Sequence, residues 1–210
     1  DRCGCEEHNR YANHMKWIAP SLAYLAVGLG TFVFHSAWGA LLGFHAAIIV
    51  SLLITKPTVP KKILLTNNNP KWIFLSVLLC GASGMTLYFL WDIFGFASDL
   101  SEQVASLGLN ASNWPVFIAY FALVNPWIEE YFWRGWLGSE SKSLQTSDFL
   151  YAGFHGLILV NKVVTGSIVF GLSVLVVAGW FWRQVAREDG GLLAPVIGHM
   201  AADLTILVAV

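Results

Sequence analysis

Apolar residues run through this chain in blocks long enough to cross a membrane, each closed by a short polar break. A helical crossing needs about 20 apolar residues, within a range of about 17 to 25. Seven segments qualify: roughly 17–34, 36–55, 72–96, 114–137, 148–164, 167–187 and 191–210. The first two run almost without interruption, with His35-Ser36 and Gly39 marking the turn between them. The later breaks are plainer: Lys56 to Lys71 holds prolines and three consecutive asparagines, and Ser98 to Asn113 is polar and carries two acids. The pattern predicts an all-α, polytopic transmembrane helix bundle of about seven spans. Before the first span lies a polar head, residues 1–16, in which Met15-Lys16 reads as a plausible original start. The first apolar run is too long for a cleaved signal peptide and is read as a membrane helix.

Composition supports this picture. Of the 210 residues, 56% are hydrophobic and 12% charged, about half the charged share of an ordinary soluble domain. A formal net charge of -1 leaves no basic excess and excludes a nucleic-acid partner. Trp and Tyr gather where helices meet lipid headgroups, and Trp17, Trp72, Trp114, Trp180 and Trp182 are expected there. Cys3, Cys5 and Cys80 spell neither a disulfide framework nor a zinc pair.

Lys and Arg stay on the cytoplasmic side of membrane proteins. With the amino terminus inside, Arg2, Arg10, Lys16, Lys56, Lys61, Lys62, Lys71, Arg134, Lys142, Arg183 and Arg187 all fall on that side, and only Lys162 falls outside. The chain therefore reads as an integral membrane protein with a cytoplasmic amino terminus, in contact with membrane lipid.

Ionisable groups within a span are costly unless paired or hydrated, so each is a functional candidate. The fourth span carries Glu129-Glu130-Tyr131-Phe132-Trp133-Arg134. Glu130 and Arg134 stand four apart with the acid first, the spacing and order of an intrahelical ion pair. Glu129 points about 100° away around the helix and is free to face another one. Against a functional reading, both acids would simply satisfy Arg134, although one is enough. The fifth span carries His155, and the seventh carries His199 and Asp203, four apart on one helix face. A lone buried His is more often a satisfied core residue than a catalytic one. Depth joins these signals: at 1.5 Å per residue, Glu129, His155 and His199 lie about 12, 10 and 12 Å from the cytoplasmic ends of their helices.

The order Glu129-Glu130-x-x-x-Arg134, an aromatic-led segment ending at His155, and His199-x-x-x-Asp203 resembles the three motifs of the CPBP family. Its members are the CAAX proteases and the bacteriocin-processing or bacteriocin-immunity proteins, including the type II CAAX prenyl endopeptidases. The likeness covers residues 114–210, a four-helix catalytic core preceded by accessory helices and loops over 17–113. Two positions depart from the family pattern: Tyr151 where Phe is frequent, and Asp203 where Asn is commonest. The resemblance implies an intramembrane endopeptidase acting on a membrane-associated or lipid-modified peptide or protein; the charge pattern and the depth of the polar groups turn the site to the cytoplasm, and a prokaryotic plasma membrane is the expected location. Glu129 would be the general base on a water, His155 would hold that water, and His199 would donate to the oxyanion, with Asp203 orienting it. Glu129, His155, His199 and Asp203 are also zinc ligands in kind and number, so zinc is the alternative cofactor. The chain has no His-Glu-x-x-His helix, which favours chemistry without a cofactor. A non-catalytic membrane partner such as an immunity protein is the main rival. A transporter is disfavoured by the short chain and the lack of an inverted repeat.

The charge asymmetry predicts that Asn68 faces the cytoplasm and Ser106 the opposite side. Single cysteines at these positions, in a cysteine-free background, should be labelled by an impermeant reagent only at 106 from outside intact cells. Labelling at 68 would overturn the topology.

Overall fold

The computed structural model describes residues 16–210. The polar head, including Arg2, Cys3, Cys5, Arg10 and Met15, lies outside the described residues. Helix α1 spans Lys16–Val33 and ends in a π turn, Leu29–Val33. A sharp reversal follows at His35, which takes a left-handed φ of 46°, and the Ser36 hydroxyl then accepts from the Gly39 amide to start α2, Ala37–Thr55. The turn expected at His35-Ser36 is thus where the chain folds back, while Gly39 sits inside the helix it helps to cap. After a short 3-10 turn at Lys61–Leu65 come α3 (Lys71–Phe89), α4 (Trp91–Phe94) and α5 (Leu100–Ser106). Then follow α6 (Trp114–Leu123), α7 (Asn125–Glu130, continuing as a π turn over Tyr131–Trp136), α8 (Thr146–Leu159), α9 (Thr165–Asp189) and α10 (Leu193–Ala209).

Four of these helices, α1, α2, α3 and α9, are long and apolar enough to cross a membrane. Seven uninterrupted spans are not what the described residues show. The segment expected at 72–96 breaks after Phe89, and the one at 114–137 is divided at Val124, ahead of Pro126, and again where the π turn begins. The α8 helix has 14 residues, about 21 Å at 1.5 Å each, which is less than the hydrocarbon thickness. Apolar α10, with 17 residues, is also short.

Polar contacts gather at the helix ends. At one end the Asp189 carboxylate accepts from the amides of Asn68 and Asn69, at 3.0 and 2.8 Å, and from the Asn67 side chain at 3.1 Å. Nearby, the Leu192 amide donates to the Ile63 carbonyl. On the same side buried Arg183 grips Asp148 through two nitrogens, at 3.0 and 2.8 Å, and donates to the carbonyls of Ser141 and Ser143. This ties α8 and α9 to the loop between α7 and α8. At the other end the Ala97 amide donates to the Lys162 carbonyl, and the Ala37 amide to that of Leu107. Lys162 is partly buried there, and loss of hydration lowers its pKa.

Helix α10 packs most extensively on α3, and small residues set the distance. A Cβ on Gly84 would lie 2.1 Å from the Thr205 carbonyl oxygen, and one on Gly198 would lie 2.6 Å from the Ser76 Cβ. Small residues let membrane helices approach closely, where van der Waals packing replaces the hydrophobic effect. Gly84→Ala should therefore lower the melting temperature in detergent. Gly28→Ala, at a glycine with nothing within 4 Å, should leave it unchanged or raise it, since Ala is better in a helix than Gly by about 1 kcal/mol. Equal effects of the two changes would refute the close α3–α10 contact.

Candidate active site

The site is built where α7, α8, α9 and α10 meet. In α7 the adjacent acids Glu129 and Glu130 are both buried, at 2% and 0% exposure, and the helix then widens into its π turn. Wide turns of this kind recur at functional positions. Glu130 Oε1 accepts from Arg134 at 3.0 Å, as the spacing predicts. The same oxygen also accepts from His199 Nδ1 at 2.8 Å, which the sequence did not reveal. Glu130 thus joins α7 to α10. Arg134 is held in turn by aromatic faces: its guanidinium carbon lies 3.9 Å from the Tyr151 ring centroid and 5.1 Å from that of Trp182. Gly138 makes room for this turn, since a Cβ there would lie 2.0 Å from the Arg134 carbonyl oxygen.

His199 has a carboxylate on each side. Its Nδ1 meets Glu130, and its Nε2 lies 3.5 Å from Asp203 Oδ1, a looser approach. With both acids ionised, each ring nitrogen faces an acceptor, an arrangement that suits a doubly protonated imidazole. Trp182 stacks on the ring at 4.8 Å and 20°. Trp182 was expected at the lipid headgroups; it is instead buried at 2% exposure, because it lies on the face of α9 turned to α10. Trp17 is 63% exposed, as a headgroup residue would be, and Trp180 donates to the Lys142 carbonyl at 2.8 Å.

His155 donates through Nδ1 to the Tyr151 carbonyl, 3.0 Å away, so in the neutral ring Nε2 is left as the acceptor. Its ring stacks on Phe154 at 4.0 Å. Tyr151 separates the two histidines, 5.3 Å from His155 and 6.1 Å from His199 between ring centroids. Glu129 lies in the charge field of His199, Asp203 and Glu130, and its Oε2 has no protein hydrogen-bond partner. Other buried polar atoms without a protein partner are Glu130 Oε2, Arg134 NH2, Trp133 Nε1, Trp182 Nε1 and Ser76 Oγ. They lie in or beside this site.

Asp203 reaches beyond His199. Its Oδ2 accepts from Asn125 Nδ2 at 3.4 Å, and Asn125 Oδ1 is met by His45 Nε2 of α2 at 2.9 Å. Asn125 and His45 were missed. His45 satisfies the criterion that selected the other residues, an ionisable group inside a span, but no second ionisable residue marks its helix.

Among the described residues no group of three or more His, Cys, Asp or Glu side chains is arranged to hold a metal ion. His199 spends Nδ1 on Glu130 and faces Asp203 with Nε2.

An all-helical membrane protein with a buried acid-histidine centre is the class that fold and site define. Residues 111–205 match the family model described as Type II CAAX prenyl endopeptidase Rce1-like. This match supports the family expected from the motifs, the CAAX proteases of the CPBP group. No curated protein and no solved structure matches the chain.

Glu130 and Glu129 should separate in their effects. Glu130→Ala leaves Arg134 and His199 without their buried acceptor and should cost about 3 to 5 kcal/mol of stability. Glu129→Gln breaks no protein hydrogen bond at Oε2 and should melt close to wild type. Thermal unfolding in detergent, followed by size-exclusion chromatography, compares them; a Glu130→Ala protein as stable as wild type would show that the acid is not a keystone.

Proposed function

We propose that the chain is an intramembrane endopeptidase that hydrolyses a peptide bond of a membrane-associated or lipid-modified peptide or protein, without a metal. The observation that carries this reading is the unequal state of the two adjacent acids. Glu130 is committed through Oε1 to Arg134 and His199, whereas Glu129, also buried, forms no ion pair among the described residues. A carboxylate with free basicity in a water-poor site is what a general base requires. Glu129 takes a proton from the attacking water, and the acceptor nitrogen of His155 helps to hold that water. His199, fixed at Nδ1 by Glu130, turns Nε2 to the developing oxyanion; the long 3.5 Å approach of Asp203 leaves that nitrogen able to swing between acid and substrate. The proton on Glu129 then passes to the leaving amine.

The same reading takes all seven apolar segments as crossings, with four of them, α6–α7, α8, α9 and α10, as the catalytic core. Contacts between the loops support it. The segments at 56–70, 137–145 and 189–192 meet polar partners at one end of the bundle, and those at 34–37, 90–113 and 160–164 at the other, the alternation that seven passes require. The basic loops face the cytoplasm, and the site opens there.

Purified protein in lipid vesicles should cleave a quenched fluorescent peptide ending in a CAAX sequence, assayed both farnesylated and unmodified. Glu129→Gln should reduce kcat by at least about 100-fold, the order lost with a general base. A chelator should leave the rate unchanged. Folded wild type that cleaves neither peptide would favour the non-catalytic membrane partner, and activity lost with a stoichiometric metal would overturn the metal-free chemistry.

A further inference from the structure

Helix α2 lies outside the segment that matches the family, yet it sends a polar side chain to the site. His45 is buried at 3% exposure among apolar residues, and both its ring nitrogens have partners: Asn125 Oδ1 at 2.9 Å from Nε2, and the Tyr120 hydroxyl at 3.2 Å from Nδ1. Asn125, at 1% exposure, turns its amide nitrogen to Asp203 Oδ2. The donors and acceptors then follow in one direction. Asp203 offers only lone pairs when ionised, so Asn125 must present its NH2 there and its carbonyl oxygen to His45. That oxygen only accepts, so His45 carries its hydrogen on Nε2. In the neutral ring Nδ1 accepts from the Tyr120 hydroxyl.

Without a donor at His45 the amide is held in this sense from its NH2 side alone, by Asp203 at 3.4 Å and by neighbouring Glu129. A half-turn about its terminal bond would place the carbonyl oxygen against the Asp203 carboxylate and repel it. We propose that His45 is a positioning residue for the hydrolytic site: by polarising the Asn125 amide it fixes Asp203, and through Asp203 the ring nitrogen of His199 that faces substrate. The chain of contacts runs from Tyr120 through His45, Asn125 and Asp203 to His199 and ends on Glu130 and Arg134. Asp203 also stands where the family most often has Asn, and it is this acid that needs a donor facing it. The role in catalysis rests on the endopeptidase reading; the positioning of Asp203 and His199 does not.

The test uses the full chain in lipid vesicles, with His45→Leu, His45→Gln, Asp203→Ala and the double variant His45→Leu/Asp203→Ala. His45→Leu should lower kcat about 10-fold, with KM little changed, as the loss of a partner that orients a catalytic group does. His45→Gln, whose amide can donate to the same oxygen, should recover most of that loss. In the Asp203→Ala background His45→Leu should have no further effect. Equal factors in both backgrounds would overturn the proposal, because a residue that only supports the fold acts regardless of Asp203. A second readout needs no turnover: the ring 15N resonances of His199, assigned by His199→Gln, should shift in His45→Leu and return in His45→Gln. Unmoved resonances would overturn the proposal. Shifted resonances in a protein that hydrolyses nothing would uphold the positioning role while removing the endopeptidase reading.

Discussion

The two hydrogen bonds on one oxygen of Glu130 are the constraint on which the rest of the site depends. A guanidinium and a carboxylate in a hydrocarbon environment cannot be left to water, and each alone is costly. Within α7 they answer each other at 3.0 Å, a solution available before any other helix arrives. The second bond, from His199 at 2.8 Å, has a different consequence: it can form only when α10 packs beside α7 in one register. Arg134 then extends the same constraint to α8 and α9, whose Tyr151 and Trp182 rings cover its charge. One buried charge cluster therefore fixes four elements that share no continuous sequence motif.

The two ion pairs of Glu130 define what its neighbour can do. Two carboxylates side by side on a helix would be poor design for a purely structural ion pair, since one suffices for Arg134. Their neighbours remove the ambiguity: the Arg134 cation and the His199 Nδ1–H both go to Glu130, and Glu129 lies beside them without a protein donor at Oε2. The aromatic rings around them exclude water while offering few hydrogen bonds, so a reacting group that enters meets polar atoms that are free to bind it.

Local relations were legible in the sequence, and relations between helices were not. The Glu130–Arg134 pair and the His199–Asp203 pair follow from four-residue spacing, and both occur, the second at a longer distance. Periodicity says which face a side chain occupies but not which helix stands opposite, so the Glu130–His199 bond could not be foreseen. Trp182 was placed with the headgroup tryptophans because it sits near a basic helix end; its neighbour Trp180 does meet the loop, and Trp182, two residues on and across the helix, turns to His199. Span counting overstated the regular helices for a physical reason: an apolar run measures what lipid tolerates, while Pro126 and the π turn decide where the helix holds. The membrane character, by contrast, needs only composition and survives every change of boundary.

Division into an accessory half and a catalytic half also looks different once side chains are placed. The family match begins at residue 111, after α3. Yet α10, which carries His199 and Asp203, lies so close to α3 that Gly84 and Gly198 leave no room for a Cβ. Helix α2 supplies His45, whose bond to Asn125 continues to Asp203. The motif helices alone could therefore bring the reactive groups to one depth, but α3 sets how near α10 may come, and α2 sets which way the last amide points. A polar group in a membrane has no water to correct its orientation, so the helices around a site must supply each missing partner themselves. Sequence motifs record the groups that react; the helices that orient them can vary in sequence as long as one donor or one small residue arrives at the right level.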